Sequence, residues 1–144
     1  MKTYPSRQYS VSLHVPFLSL VLLFGGCTPD LIVKNVHHET YLLPLLMMKG
    51  TVENQGNRVA GESITSLEFR SDLNAPFVPT TRIQTPSLRP GESKELLLWP
   101  FSPSLLPPTA PCLQVRVCAD ADNIVDESSE TNNCLTKSFP AVCP

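Results

Sequence analysis

The sequence predicts an all-β domain of two packed sheets, and three observations carry that expectation. Fifteen prolines are spread through 144 residues; a proline inside a helix removes a hydrogen bond and clashes with the preceding turn, so long helices have little room. Apolar and polar residues alternate in short runs, most plainly in Leu113-Gln114-Val115-Arg116-Val117. A period of two puts every second side chain on one face, as a half-buried strand requires. Turn-forming groups such as Asn54-Gln55-Gly56-Asn57 and Arg89-Pro90-Gly91 separate these runs at short intervals. The length suits one domain.

In chain order, residues 1–26 read as an export leader. Lys2 and Arg7 supply positive charge, Val11 to Phe24 an apolar core, and Gly25-Gly26 small residues before a cut. The core is shorter than the roughly 20 apolar residues of a bilayer span. Leu23-Phe24-Gly25-Gly26-Cys27 resembles the bacterial lipobox, which implies acyl chains on Cys27 as the first residue of the processed protein. More than one chain is what stable anchoring takes. Thr28 follows the cysteine in place of an aspartate, which under Gram-negative sorting rules implies the outer membrane, facing the periplasm or the surface. The domain proper is then 27–144.

Within it, Leu31 to Val36 reads as a short first strand, with His37 and His38 after it, facing solvent. Leu45 to Glu53 reads as a core strand entered at Pro44, and Ser63 to Phe69 as the next. Ser71 to Pro79 reads as an irregular crossing, followed by a short strand at Thr81 to Thr85. A Pro-Gly turn leads into Lys94 to Trp99, and Pro100 to Pro111 reads as a surface loop. The chain ends in a hairpin, Leu113–Val117 with Leu135–Phe139, whose long tip runs from Ala119 to Asn133.

Five cysteines are an odd count. With Cys27 assigned to the anchor, Cys112, Cys118, Cys134 and Cys143 form an even set, which in an exported domain reads as two disulfides. Three pairings exist. Cys118–Cys134 flank the hairpin loop and Cys112–Cys143 lie at the far end of the same strand pair, so these two bridges are expected. A four-thiolate metal site wants closely spaced pairs, which are absent.

The formal charge is −2, and loss of Lys2 and Arg7 with the leader makes it −4. No basic stripe exists to displace counterions from phosphates, which argues against nucleic acid as a partner. The hairpin tip carries five of the thirteen acids and no lysine or arginine, so the negative field is local.

Four segments together resemble the bacterial CARDB family of cell-adhesion-related, immunoglobulin-like domains. They are Pro29-Asp30-Leu31, Val52-Glu53-Asn54-Gln55-Gly56, Leu88-Arg89-Pro90-Gly91-Glu92-Ser93, and the pattern from Asp120 through Asn133. The resemblance spans about residues 29 to 139 and implies an immunoglobulin-like β-sandwich of about seven antiparallel strands. The cysteines are not part of the family pattern.

Asp120, Asp122, Asn123, Asp126, Glu127 and Glu130 offer enough oxygens for a calcium ion, which takes about six to eight ligands, but not the spacing of a dedicated calcium loop. The same residue types also hold irregular turns through bonds to the backbone, and Glu127, Asn132 and Asn133 are expected to tie the loop to itself. No other cofactor is expected. Trp99 is read as a core or core-rim residue before a sugar platform. No nucleophile stands with a base, so an enzyme is not expected. The sequence points to a lipid-anchored envelope module that binds a protein or a cell-surface polymer. A structural spacer or scaffold and a carbohydrate- or cell-wall-binding accessory module are the alternatives.

Overall fold

The computed structural model describes residues 27–42, 45–70, 73–101 and 113–139. Seven strands follow in order: β1 (Leu31–Leu42), β2 (Leu45–Asn54), β3 (Ser63–Arg70), β4 (Val78–Thr85), β5 (Ser93–Phe101), β6 (Leu113–Cys118) and β7 (Cys134–Phe139). They form a three-stranded sheet, β1-β2-β5, and a four-stranded sheet, β4-β3-β6-β7, every neighbouring pair antiparallel. No helix occurs among the described residues. The leader and the Cys112–Cys143 bridge lie outside them.

The core lies between the sheets. Leu31, Val33, Val36, Met48, Val52, Leu96 and Leu98 pack from one side against Leu67, Leu113, Val115, Val117 and Phe139 from the other. Alternation works as expected in β6, where Leu113, Val115 and Val117 are buried and Gln114 and Arg116 are half-exposed. In β3 the inward face, Ser63, Thr65 and Leu67, includes polar residues. Thr65 is fully buried and bonds hydroxyl to hydroxyl with buried Thr85 of β4 at 2.6 Å, so two polar side chains satisfy each other in the core.

Three boundaries differ from the sequence reading. β1 runs six residues past Val36, because His37 to Thr40 pair in register with Leu46 to Lys49 of β2; the histidines are within the strand, not after it. His37 faces outward between Glu39 and Glu95, while the exposed His38 ring packs edge-on against Phe139, 5.2 Å between centroids. β4 begins at Val78, not Thr81. Its register slips between Leu67 and Glu68, with Pro79 opposite Glu68, and an edge strand with a bulge tolerates a proline's missing donor. β5 continues through Pro100 to Phe101 along β2, two residues into the segment expected to be loop.

One turn locks the end of the sandwich where the chain enters. Asn54 is fully buried at the end of β2. Its Oδ1 accepts the Asp30 and Gly56 amides at 3.1 and 3.0 Å, and its Nδ2 donates to the Arg58 and Leu88 carbonyls at 2.7 and 3.0 Å. Gly56 is required here for closeness: a Cβ would sit 2.6 Å from the Thr28 carbonyl oxygen and the Asp30 nitrogen. Nearby, Gly91 has φ +74° and its amide bonds the Asn54 carbonyl at 2.7 Å. Only glycine enters that region without steric cost.

Candidate functional site

The hairpin of β6 and β7 presents the loop 119–133. Cys118 and Cys134 are directly opposed, and the expected disulfide joins them with Cα atoms 4.1 Å apart. In the loop, Asp120 turns inward. Its backbone takes a positive φ of 42°, and its carboxylate accepts the Ile124 and Val125 amides at 3.2 and 2.9 Å. Asn123, φ 52°, donates its amide to the Asp120 carbonyl at 2.8 Å. Asp and Asn are the side-chain-bearing residues that most readily enter this conformation. Asp120 therefore makes the turn.

The other acids go separate ways. Asp122 pairs with Arg82 of β4. Asp126 is exposed. Glu130 is exposed and accepts the Glu127 amide through Oε1 at 3.0 Å. Among the described residues, no three carboxylate, histidine or cysteine side chains gather in a way that could hold a metal ion. The six candidate calcium ligands are thus divided among a turn, an ion pair, solvent and the interior. The reason is visible in Asp120 and Asp122, whose charges are already met by backbone amides and by an arginine.

Glu127 is the exception. It is only 8% exposed, yet neither carboxylate oxygen has a hydrogen bond of ordinary geometry. Burial raises its pKa to about 7, and the negative charges of Glu130 and Asp120 add to the rise. The backbone at Leu31 and the Asn133 side chain pull the other way.

The loop is tied to the start of the chain and not only to itself. Ser128 donates its amide to the Pro29 carbonyl at 3.0 Å, and Asn132 Nδ2 donates to Asp30 Oδ1 at 2.9 Å. Asp30 Oδ2 also accepts Gln55 Nε2 at 2.8 Å. Asn132 therefore joins the loop to the entry of β1. Nothing in the local spacing announces this, because the partners are 102 residues apart.

Beside the loop, the outer face of the four-stranded sheet carries paired charges. Arg116 of β6 pairs with Glu68 of β3. Arg70 donates from Nε and Nη2 to Gln114 Oε1 at 2.8 and 2.6 Å. Both guanidiniums lie over the Phe77 ring, 4.5 and 4.4 Å from its centroid, a cation–π arrangement that sequence reading missed because Phe77 sits in an irregular stretch. Between this face and the disulfide is an open cavity of about 220 Å³. On the other sheet, Lys49 bridges Glu39 at 2.8 Å and Glu95 at 3.2 Å. Cys27 is exposed and unbridged; the side chain of Trp99 lies outside what the structure describes.

The CARDB family profile matches residues 28–137. The chain belongs to the CARDB family. Solved structures agree. A domain of a proposed cell surface protein from Methanosarcina acetivorans matches at TM-score 0.62 and 26% identity, over 78% of this chain and 90% of that one. A CARDB domain from Pyrococcus furiosus, determined in complex with di-metal ions, matches at TM-score 0.61 and 20% identity, over 79% and 94%. β-Glucosidase 3B from Thermotoga neapolitana matches over 16% of its length and 77% of this chain, at TM-score 0.50 and 19% identity. The last two likenesses are of fold. A search of curated proteins finds no match. CARDB domains are non-catalytic modules with an immunoglobulin-like sandwich, in keeping with the seven antiparallel strands found here.

Proposed function

We propose that this CARDB domain is a non-catalytic binding module of the bacterial envelope, held at the outer membrane by lipid on Cys27. It recognises a protein partner or a cell-surface polymer through the 119–133 loop and the adjoining face of the four-stranded sheet. The observation that carries the reading is the loop itself. It is closed by a disulfide, pinned to Pro29 and Asp30, and still presents Asp122, Asn123, Asp126 and Glu130 to solvent. A rigid scaffold that displays polar loop residues is how sandwich domains place recognition.

Two supports bear on the anchor. Cys27 is exposed and stands two residues before buried Pro29, so an acyl group there would not disturb the sandwich. The sequence before it resembles a lipobox. Metabolic labelling with an alkyne fatty acid tests this: label on the wild type and none on Cys27→Ser is expected, and label retained in the variant overturns the anchor. Site-directed photo-cross-linking in cells tests the module. Adducts from positions 123 and 126 that are absent from position 97, exposed on β5 of the other sheet, are expected. Equal or no adducts at all three positions would leave a spacer.

A further inference from the structure

The seam between the loop and the entry to β1 is short of hydrogen-bond donors. Ser128 and Asn132 donate across it, to Pro29 and Asp30. Among the described residues of the loop, four buried side-chain atoms have no partner of ordinary geometry: both oxygens of Glu127 and the Oδ1 atoms of Asn132 and Asn133. All four are acceptors unless Glu127 carries a proton. Glu127 is more than nine-tenths buried, and no lysine or arginine among the described residues acts on it. The charges that do are Asp120 and Glu130 of its own loop, while the Leu31 backbone and the Asn133 side chain adjoin it. Asp30, on the facing segment, is held by Gln55 Nε2 and Asn132 Nδ2. A neutral Glu127 brings an O–H donor to this seam; an ionised one brings a buried charge that nothing offsets.

We propose that Glu127 is a proton-operated latch: with its carboxyl neutral, residues 126–132 stay seated against Pro29 and Asp30, and when the proton passes to water they lift away. Lifting away hydrates the carboxylate and removes the cost of burying it, against which the Ser128 and Asn132 bonds are given up. The opening is local. The Cys118–Cys134 bridge holds the base of the loop, and the Asp120 carboxylate keeps the turn through the Ile124 and Val125 amides. Burial sets the folded pKa at about 7 against an ordinary 4.5, so the seated arm is most stable at the acid end and loses stability as the pH rises to 7. The latch stands whether or not the loop binds a partner. Its consequence, that access to this arm of the loop changes with pH, rests on the binding-module reading.

The test is amide hydrogen exchange of the ¹⁵N-labelled full chain, read as protection factors so that the intrinsic pH dependence of exchange cancels. The Ser128 amide reports the seam and the Val117 amide reports the centre of the sheet. Protection at Ser128 should fall more than about 10-fold between pH 5 and pH 8. At pH 8 it should be less than about a tenth of that at Val117, and indifferent to low urea, the mark of a local opening. Glu127→Gln, neutral throughout, should hold Ser128 protection level. Asp126→Asn, which removes the exposed acid beside it, should leave the fall in place. Level protection in the wild type overturns the latch, as does an equal fall in Glu127→Gln. Ser128 and Val117 equally protected at every pH would mean unfolding of the whole domain and also overturn it. Should the glutamine variant not fold, the carboxyl ¹³C titration of wild-type Glu127 decides: a midpoint of 5 or above supports the latch and one below 5 overturns it. Cellular cross-linking reads the module separately. Partner adducts with level Ser128 protection sink the latch alone, and a pH-dependent Ser128 without adducts sinks the binding-module reading alone.

Discussion

Two polar side chains, Asn54 and Glu127, are buried at the same end of this sandwich and are treated oppositely. Asn54 uses its amide oxygen twice and its amide nitrogen twice, tying four backbone groups from three segments together without charge. Glu127, on the loop that docks beside it, has both oxygens buried without a bond of ordinary geometry and two acids nearby. The contrast teaches what burial asks of a polar group. A neutral amide with every valence met stabilises, whereas a carboxylate left unpaired raises its own pKa and carries a stability cost once ionised.

The contrast can be broken first at Asn54. Asn54→Ala orphans donors and acceptors in three segments and should cost roughly 3–4 kcal/mol, read as a lowered midpoint in urea unfolding. The paired change Cys118→Ser with Cys134→Ser releases a loop whose ends are 16 residues apart and should cost about 3 kcal/mol, measured against the oxidised wild type.

Glu127 should act in the other direction. Its folded pKa of about 7 lies above its ordinary value of 4.5. The stability it contributes is therefore full below about pH 4.5 and is lost as the pH rises to 7. Glu127→Gln keeps the shape and removes the charge. At pH 8 it should raise the melting temperature, by a gain on the order of 2–3 kcal/mol, and it should flatten the decline between pH 5 and 7. A variant as pH-sensitive as the wild type would show that the carboxyl is met by a partner in solution.

On the three-stranded sheet the sign reverses. The Lys49 hydrogen bond holds Glu39 below its usual range, and Lys34 and Ser93 do the same for Glu53. Those groups lose stability only as pH falls through their lowered values. Being on the surface, the pairs are weak, and Lys34→Ala should shift the melting temperature least of the four changes.

Much of the architecture was legible because burial imposes a period. Leu113, Val115 and Val117 announced β6, and the cysteines on either side of an acidic turn announced a closed hairpin. The β1 extension was not legible. His37 to Thr40 are polar, and only pairing with β2 makes them a strand. Nor could spacing show which acids look inward. Asp120 and Asp122 are two residues apart and of one type, yet one builds the turn and the other meets Arg82 from a strand 40 residues earlier. Asn54 read as a turn-former, which it is, but its role as the junction of Asp30, Arg58 and Leu88 depends on segments that meet only after folding.

The bond from Ser128 to Pro29 has a geometric corollary. It fixes the acidic loop at the same pole of the domain as Cys27, two residues before that proline. Were the chain tethered by lipid on Cys27, as proposed, that pole would face the bilayer and the free end of the sandwich would point away. A partner would then arrive laterally, along the plane of the leaflet, and soluble molecules approaching from above would meet only the opposite pole.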